Sequence, residues 1–149
     1  MGKRRNNPLQ LALNILPIDE KATRRAVEDF LEEVRIYRQI GFVRRQAAKT
    51  PSYEPRYHGT TNVLSKPTEK VALWNVDREA ELHRKSELLD LAMSRLSSVQ
   101  REVIERSYLN IEDEFDYMNS IEMGISDRTY RRLKFSGIRL LAAALKLEK

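Results

Sequence analysis

Apolar residues recur every three or four positions at Ala26, Val27, Phe30, Leu31, Val34, Tyr37 and Ile40. That spacing lines one face of a helix and predicts an amphipathic helix over 19–40. Asp19 stands before the stripe as an N-cap, Glu20 suits the positive end of the helix, and Gly41 supplies a stop. Residues 1–18 read as an arm ending near Pro17. No period persists over 41–66, where Pro51, Pro55, Gly59 and Thr60-Thr61-Asn62 break regular structure. A second helix is predicted over 67–96, with Ser65 as cap, Pro67 at its start and Glu69 behind. Its apolar positions are Val71, Trp74, Leu88, Leu89, Ala92, Met93 and Leu96. Between them, 77–85 is mostly charged, with only Ala80 and Leu82 apolar. Both an unbroken exposed helix and a break at Asp77 fit this stretch.

The C-terminal third has the clearest pattern. Ser97 or Ser98 caps a short helix whose apolar side is Val99, Val103, Ile104 and Tyr108, and an acidic turn follows over 109–113. Phe115, Met118 and Ile121 mark the next helix, and Met123-Gly124-Ile125 ends it. Ser126 caps a last helix to about Leu147, with Tyr130, Leu133, Ile138, Leu141 and Leu145 inward. The predicted class is all-α. N-terminal helices are joined by an irregular linker to a C-terminal helix-turn-helix over 97–149.

Composition narrows the function classes. The chain has 149 residues and no Cys, which excludes a disulfide framework, a thiol nucleophile and a cysteine-ligated zinc site. No apolar run reaches the roughly 18 residues of a membrane span. The stretch 9–16 follows Lys3, Arg4 and Arg5 as a signal peptide would, but Asp19 and Glu20 arrive without a small-residue cleavage site. The expected location is the cytoplasm of a bacterial host, with the nucleoid. His58 and His83 share no ligand spacing. Phosphate loops, nucleophile elbows and zinc-protease motifs are missing, so neither an enzyme nor a cofactor or metal is expected.

Charge is distributed unevenly. The net charge is +5, yet residues 107–124 carry five acids and no base, and residues 125–149 carry seven bases against two acids. The linker holds Arg44, Arg45, Lys49, Arg56 and Lys66 against Glu54 alone. A basic capped helix behind a Gly turn is the sequence pattern of a helix-turn-helix, whose second helix reads the DNA major groove. On this reading Ile121, Met123, Gly124, Ile125, Tyr130 and Leu133 form the core of the unit. Ser120 fills its small-residue position. Asn119 occupies an expected apolar position, which suggests a one-residue shift that brings Met118 inward. Ser126, Asp127, Arg128, Thr129, Arg131, Arg132, Lys134 and Arg139 are the candidate DNA contacts, with Lys134 on phosphate. Arg44, Arg45, Lys49, Arg56, Gln100 and Arg101 are further candidates for backbone contact.

Leu96, the run Val99-Gln100-Arg101-Glu102-Val103-Ile104 and Tyr108, taken with this unit, resemble the promoter-reading region of bacterial sigma factors. The whole chain resembles the ArpU-type phage transcriptional regulators. The matching residues are Ile18-Asp19, Thr23, 34–40 with Tyr37-Arg38, 50–53 (TPSY), Thr61-Asn62, Ser65-Lys66-Pro67 and the terminal pattern GIS, Tyr130, Lys134, Leu141-Ala142, Leu145. The resemblance implies a regulator of phage or prophage late genes, for packaging and lysis, acting on promoter DNA. Host RNA polymerase and a second copy of the chain are the further candidate partners. Ser136-Gly137 stands where the family often carries an Ala, which is expected to loosen the last helix by about 1 kcal/mol. A small-terminase-like packaging protein and a helical adaptor remain as alternatives.

Overall fold

In a computed structural model of the chain, residues 18–47, 67–110 and 115–149 are described; they form helices and no strand. The arm, Ser65, the linker bases Lys49 and Arg56, and most of the acidic turn lie outside these residues. Helix α1 spans Glu20–Ile40. The Asp19 carboxylate accepts from the Lys21 and Ala22 amides at 2.9 and 3.1 Å, satisfying donors that the first turn cannot pair internally. Gly41 ends α1 with φ +71°, a conformation that costs glycine nothing. The buried stripe of α1 is Thr23, Val27, Leu31 and Val34; Ile40, read as part of it, is exposed.

Helix α2 spans Pro67–Ser94 without interruption, about 42 Å at 1.5 Å per residue. There is no break at Asp77. The charged middle of α2 is not a solvated span either, because it faces α1. Glu33 of α1 takes ion pairs from both Arg78 and Lys85 (the latter at 2.7 Å), and Glu81 closes the square with Arg78 at 2.7 Å and Lys85 at 3.0 Å. Further along, Arg38 donates to Ser86 Oγ at 2.9 Å, to the Ser86 carbonyl at 3.1 Å and to Asp90 at 2.7 Å. Pairs this exposed contribute roughly 0.2–1 kcal/mol each, so their main effect is to fix how α1 lies on α2.

Helix α3 spans Ser98–Ile104 under a capping box. Ser97 Oγ accepts from the Gln100 amide, and the Gln100 side chain accepts from the Ser97 amide. It continues into one widened π turn, Glu105–Leu109, closed by the Asn110 amide on the Glu105 carbonyl at 2.9 Å. Helices α4 (Asp116–Glu122) and α5 (Asp127–Leu145) complete the order. One core joins Val27, Leu31 and Val34 of α1, Leu89, Ala92 and Met93 of α2, Leu96, Ile104 of α3, and Ile138, Leu141 and Ala142 of α5. Behind α5 the chain returns to α1. The Lys149 carbonyl accepts from the Asp19 amide at 2.7 Å, and the Lys149 amide donates to Thr23 Oγ1 at 3.0 Å.

Gly137 lies inside a continuous α5, at a place where that helix packs against Ile104 of α3. A Cβ there would lie 3.0 Å from Ile104 Cγ1 and 3.1 Å from its Cδ1. Ile104 is fully buried, and it would have to give by a few tenths of an ångström to admit a methyl group.

Two predictions follow from this packing. Gly137→Ala gains about 1 kcal/mol of helix propensity but loses about 1–3 kcal/mol to overpacking, so urea denaturation should show net destabilisation. In an Ile104→Ala background, where the colliding atoms are gone, the same substitution should stabilise. Separately, the Glu81 carboxyl is held below the usual carboxylate value of 4.5, first by Arg78 and then by Lys85. A lowered folded value stabilises above the unfolded pKa, and that contribution is lost as pH falls through the folded one. The melting temperature should therefore drop on acidification from about pH 5 to 3, and Glu81→Gln should make that drop shallower.

Candidate nucleic-acid interface

The turn between α4 and α5 is built from local hydrogen bonds. The Met123 amide donates to the Asn119 carbonyl at 3.0 Å, Gly124 to Ile121 at 2.9 Å and Ile125 to Ser120 at 3.0 Å. This closure requires φ +65° at Gly124, the left-handed region that glycine adopts freely. Ser126 then caps α5 by accepting from the Thr129 amide at 3.2 Å, and the two hydroxyls lie 2.8 Å apart. Thus two candidate contacts, Ser126 and Thr129, already serve the cap.

The inward side of α5 is anchored by Tyr130, which is fully buried. Its hydroxyl lies 2.7 Å from Ser107 Oγ of the π turn. Burial raises the Tyr130 pKa, and the Ser107 hydrogen bond only partly offsets this. Met123, Ile125 and Leu133 are half-buried around this anchor. Ile121, expected in the core, is exposed, and so is Met118. Asn119 and Ser120 take the buried positions of α4 instead. There is no one-residue shift: Asn119 is fully buried, with no hydrogen-bond partner for either polar atom of its side chain among the described residues.

The outward side of α5 carries cations. Arg128, Arg132 and Arg139 fall at i, i+4 and i+11, a single stripe about 16 Å long on the face opposite Tyr130, and all three are exposed. Arg128 and Arg132 make no ion pair among the described residues. The Arg139 guanidinium lies 5.9 Å from the Phe135 ring. Arg131, beside the stripe, pairs with Asp127 at 3.0 Å.

Lys134 belongs elsewhere. Its side chain is only 17% exposed; its ammonium donates to both Asp116 oxygens, at 2.8 and 3.0 Å, and sits 4.8 Å over the Tyr108 ring. It pins α5 to the start of α4 rather than facing outward to a phosphate. Gln100 and Arg101 are also engaged internally. Gln100 donates to Ser136 Oγ at 3.0 Å, and Arg101 donates to the Met93 carbonyl at 3.1 Å at the end of α2. Arg44 pairs with Glu79 at 3.1 Å. Arg45 stacks on Trp74 at 3.6 Å and exchanges backbone hydrogen bonds with the Asn75 amide. The sequence reading thus grouped arginines that face outward with cations that hold the fold.

Of the π turn, the sequence pattern singled out only Tyr108, on the apolar side of its helix, and not Arg106 or Ser107. Arg106 pairs with Glu122 of α4, and Tyr108 donates to Glu28 of α1 at 2.9 Å. Burial first, and then the Glu28 carboxylate, push the Tyr108 pKa well up, so this phenol stays a donor. The cleft beside it is lined by Arg24, Tyr108, Asp116, Arg131, Lys134 and Phe135. Its cations are balanced, Arg24 by Glu28 at 2.8 Å and Lys134 by Asp116. No metal-holding group of His, Asp or Glu occurs among the described residues, and no described helix is long and apolar enough to cross a membrane.

Lys134→Met should therefore destabilise the fold by about 1–3 kcal/mol, because it leaves Asp116 unpaired. Adding Asp116→Asn should recover part of the loss in a double-mutant cycle read by chemical denaturation.

Among curated proteins, the chain is 30% identical over 145 residues to an uncharacterized phage-related protein of Listeria innocua, spanning 92% of this chain and 96% of that one. No protein-family description matches the chain. No solved structure matches it.

Proposed function

We propose that this chain, which belongs to the family of the phage-related Listeria innocua protein, is a sequence-specific double-stranded-DNA-binding transcriptional regulator. Its role is activation of phage or prophage late genes at promoters, together with host RNA polymerase, as the likeness to ArpU-type regulators implies. The observation that carries the reading is the Arg128–Arg132–Arg139 stripe. It stands on a capped helix behind the Gly124 turn, directly opposite the buried Tyr130 face. A helix held in this way enters a major groove with its first turns against base edges. Arginine there pairs bidentately with guanine and also reaches phosphate.

Fluorescence anisotropy on duplexes selected from phage genomic DNA tests this. Arg128→Ala or Arg132→Ala should cost about 1–3 kcal/mol and relax base preference where the side chain contacts a base. A phosphate-contacting arginine should instead lower the salt slope by about one unit on every sequence. Run-off transcription with host polymerase should rise in the presence of the wild-type protein and not of the double variant. Unchanged DNA binding by the Arg128→Ala/Arg132→Ala protein would sink the assignment.

A further inference from the structure

A groove lies where the end of α2 meets the end of α5. Leu88, Leu91 and Ala92 of α2 line it with Ala144 and Leu145 of α5, around a cavity of about 450 Å³. One water takes roughly 30 Å³, so the space suits several side chains. Ala92 and Leu145 pack on the core and form its floor. Leu88 and Leu91 are 46% and 58% exposed, and Leu140, one turn before Ala144, is 48% exposed. The groove is separate from the arginine stripe, because Ala144 points about 140° around α5 from Arg139 at 100° per residue.

Charge at the rim selects the occupant. Arg95 and Lys146 line the groove, and Arg84 stands one turn before Leu88 on the same face of α2. All three are exposed and make no ion pair among the described residues. The neighbouring acids are turned elsewhere: Glu87 to His83 at 3.4 Å, Asp90 to Arg38 at 2.7 Å, and Glu148 to a different cleft, beside Glu20 and Arg24. Arg95 and Lys146 each follow a helix C-terminus, whose partial charge of about −0.5 offsets only half of each. A second copy of this rim is repelled, and so is the chain's own apolar run 9–16, which follows Lys3, Arg4 and Arg5. Duplex DNA has no apolar ridge to fill the groove. We propose that this groove docks an amphipathic helix of a partner protein, with leucine-like side chains between Leu88, Leu91 and Ala144 and carboxylates on Arg95, Lys146 and Arg84, while the stripe of α5 stays free.

A synthetic helix with one leucine face and glutamate flanks is the probe, and a leucine–lysine peptide of the same pattern is its control. In calorimetry the full-length protein should bind the glutamate peptide in a salt-sensitive way and ignore the lysine peptide. Leu88→Ser/Leu91→Ser should weaken binding at least tenfold at an unchanged melting temperature. Arg95→Glu/Lys146→Glu should reverse the preference between the peptides, a readout that lost packing would not produce. Leu73→Ser/Val76→Ser, at the other end of α2, should leave binding intact. Binding of neither peptide, equal binding of both, an unreversed preference in the charge variant or equal loss with the Leu73/Val76 variant overturns the proposal. So does sedimentation showing self-association that Leu88→Ser/Leu91→Ser abolishes, because a second copy then fills the groove. Loss of DNA binding by that variant overturns it too, because the groove then belongs to the nucleic-acid surface. Failure of the wild-type protein to bind DNA leaves the peptide result standing, so the two readings fail separately.

Discussion

Three consecutive side chains in one widened turn set the positions of three helices. Arg106 reaches Glu122 on α4, Ser107 meets Tyr130 on α5, and Tyr108 donates to Glu28 on α1. In a regular α-helix, successive residues point about 100° apart. Closing the turn over five residues rather than four brings successive side chains closer together around the axis, and each of the three still reaches a different helix. Two of the three contacts involve a buried or half-buried phenol, which keeps its proton because burial disfavours the phenolate. The Arg106 contact is an exposed ion pair and contributes less. The π turn is thus the joint at which α1, α4 and α5 are referred to one another.

The rest of the C-terminal half depends on that joint. With Tyr130 fixed, α5 can rotate little about its axis, and Gly137 lets it come down onto Ile104. Lys134, one turn beyond Tyr130, then lands on Asp116 and closes α5 against α4. These constraints leave one face of α5 outward, and it is the face with Arg128, Arg132 and Arg139. The orientation of the arginines is a consequence of interior contacts, not of any interaction of their own.

Sequence patterning revealed those parts of the structure that are local. Asp19, Gly41, Ser97, Gly124 and Ser126 each act on backbone within a few residues, so their chemistry could be read in order along the chain. The contacts it hid join distant positions. Tyr108 and Glu28 are 80 residues apart, and Lys85 and Glu33 are 52 apart. A charged stretch such as 77–85 looks solvated until the opposing helix is known to carry Glu33. The same limit explains Lys134. On its own helix it looks like one more base beside Arg131 and Arg132, and only the arrival of α4 turns it into a half-buried partner of Asp116. Gly137 likewise looks like a helix fault until Ile104 is placed beneath it.

The division between Lys134 and the arginines has a physical basis. An ammonium is a compact charge with three donors, and it fits a single carboxylate under an aromatic ring, as Asp116 and Tyr108 provide. A guanidinium in that place would need a planar, bidentate setting and more room. On the open face the preference reverses. Arginine is weakly hydrated, always charged and forked, which suits recognition of base edges and phosphates by geometry as well as by charge. Lys134 is the only lysine within α5, and it is turned inward, while all of the outward cations of that helix are arginines. The arginines of the outward face are therefore the feature on which the proposed DNA binding rests, more than the net charge of +5, which by itself names no partner.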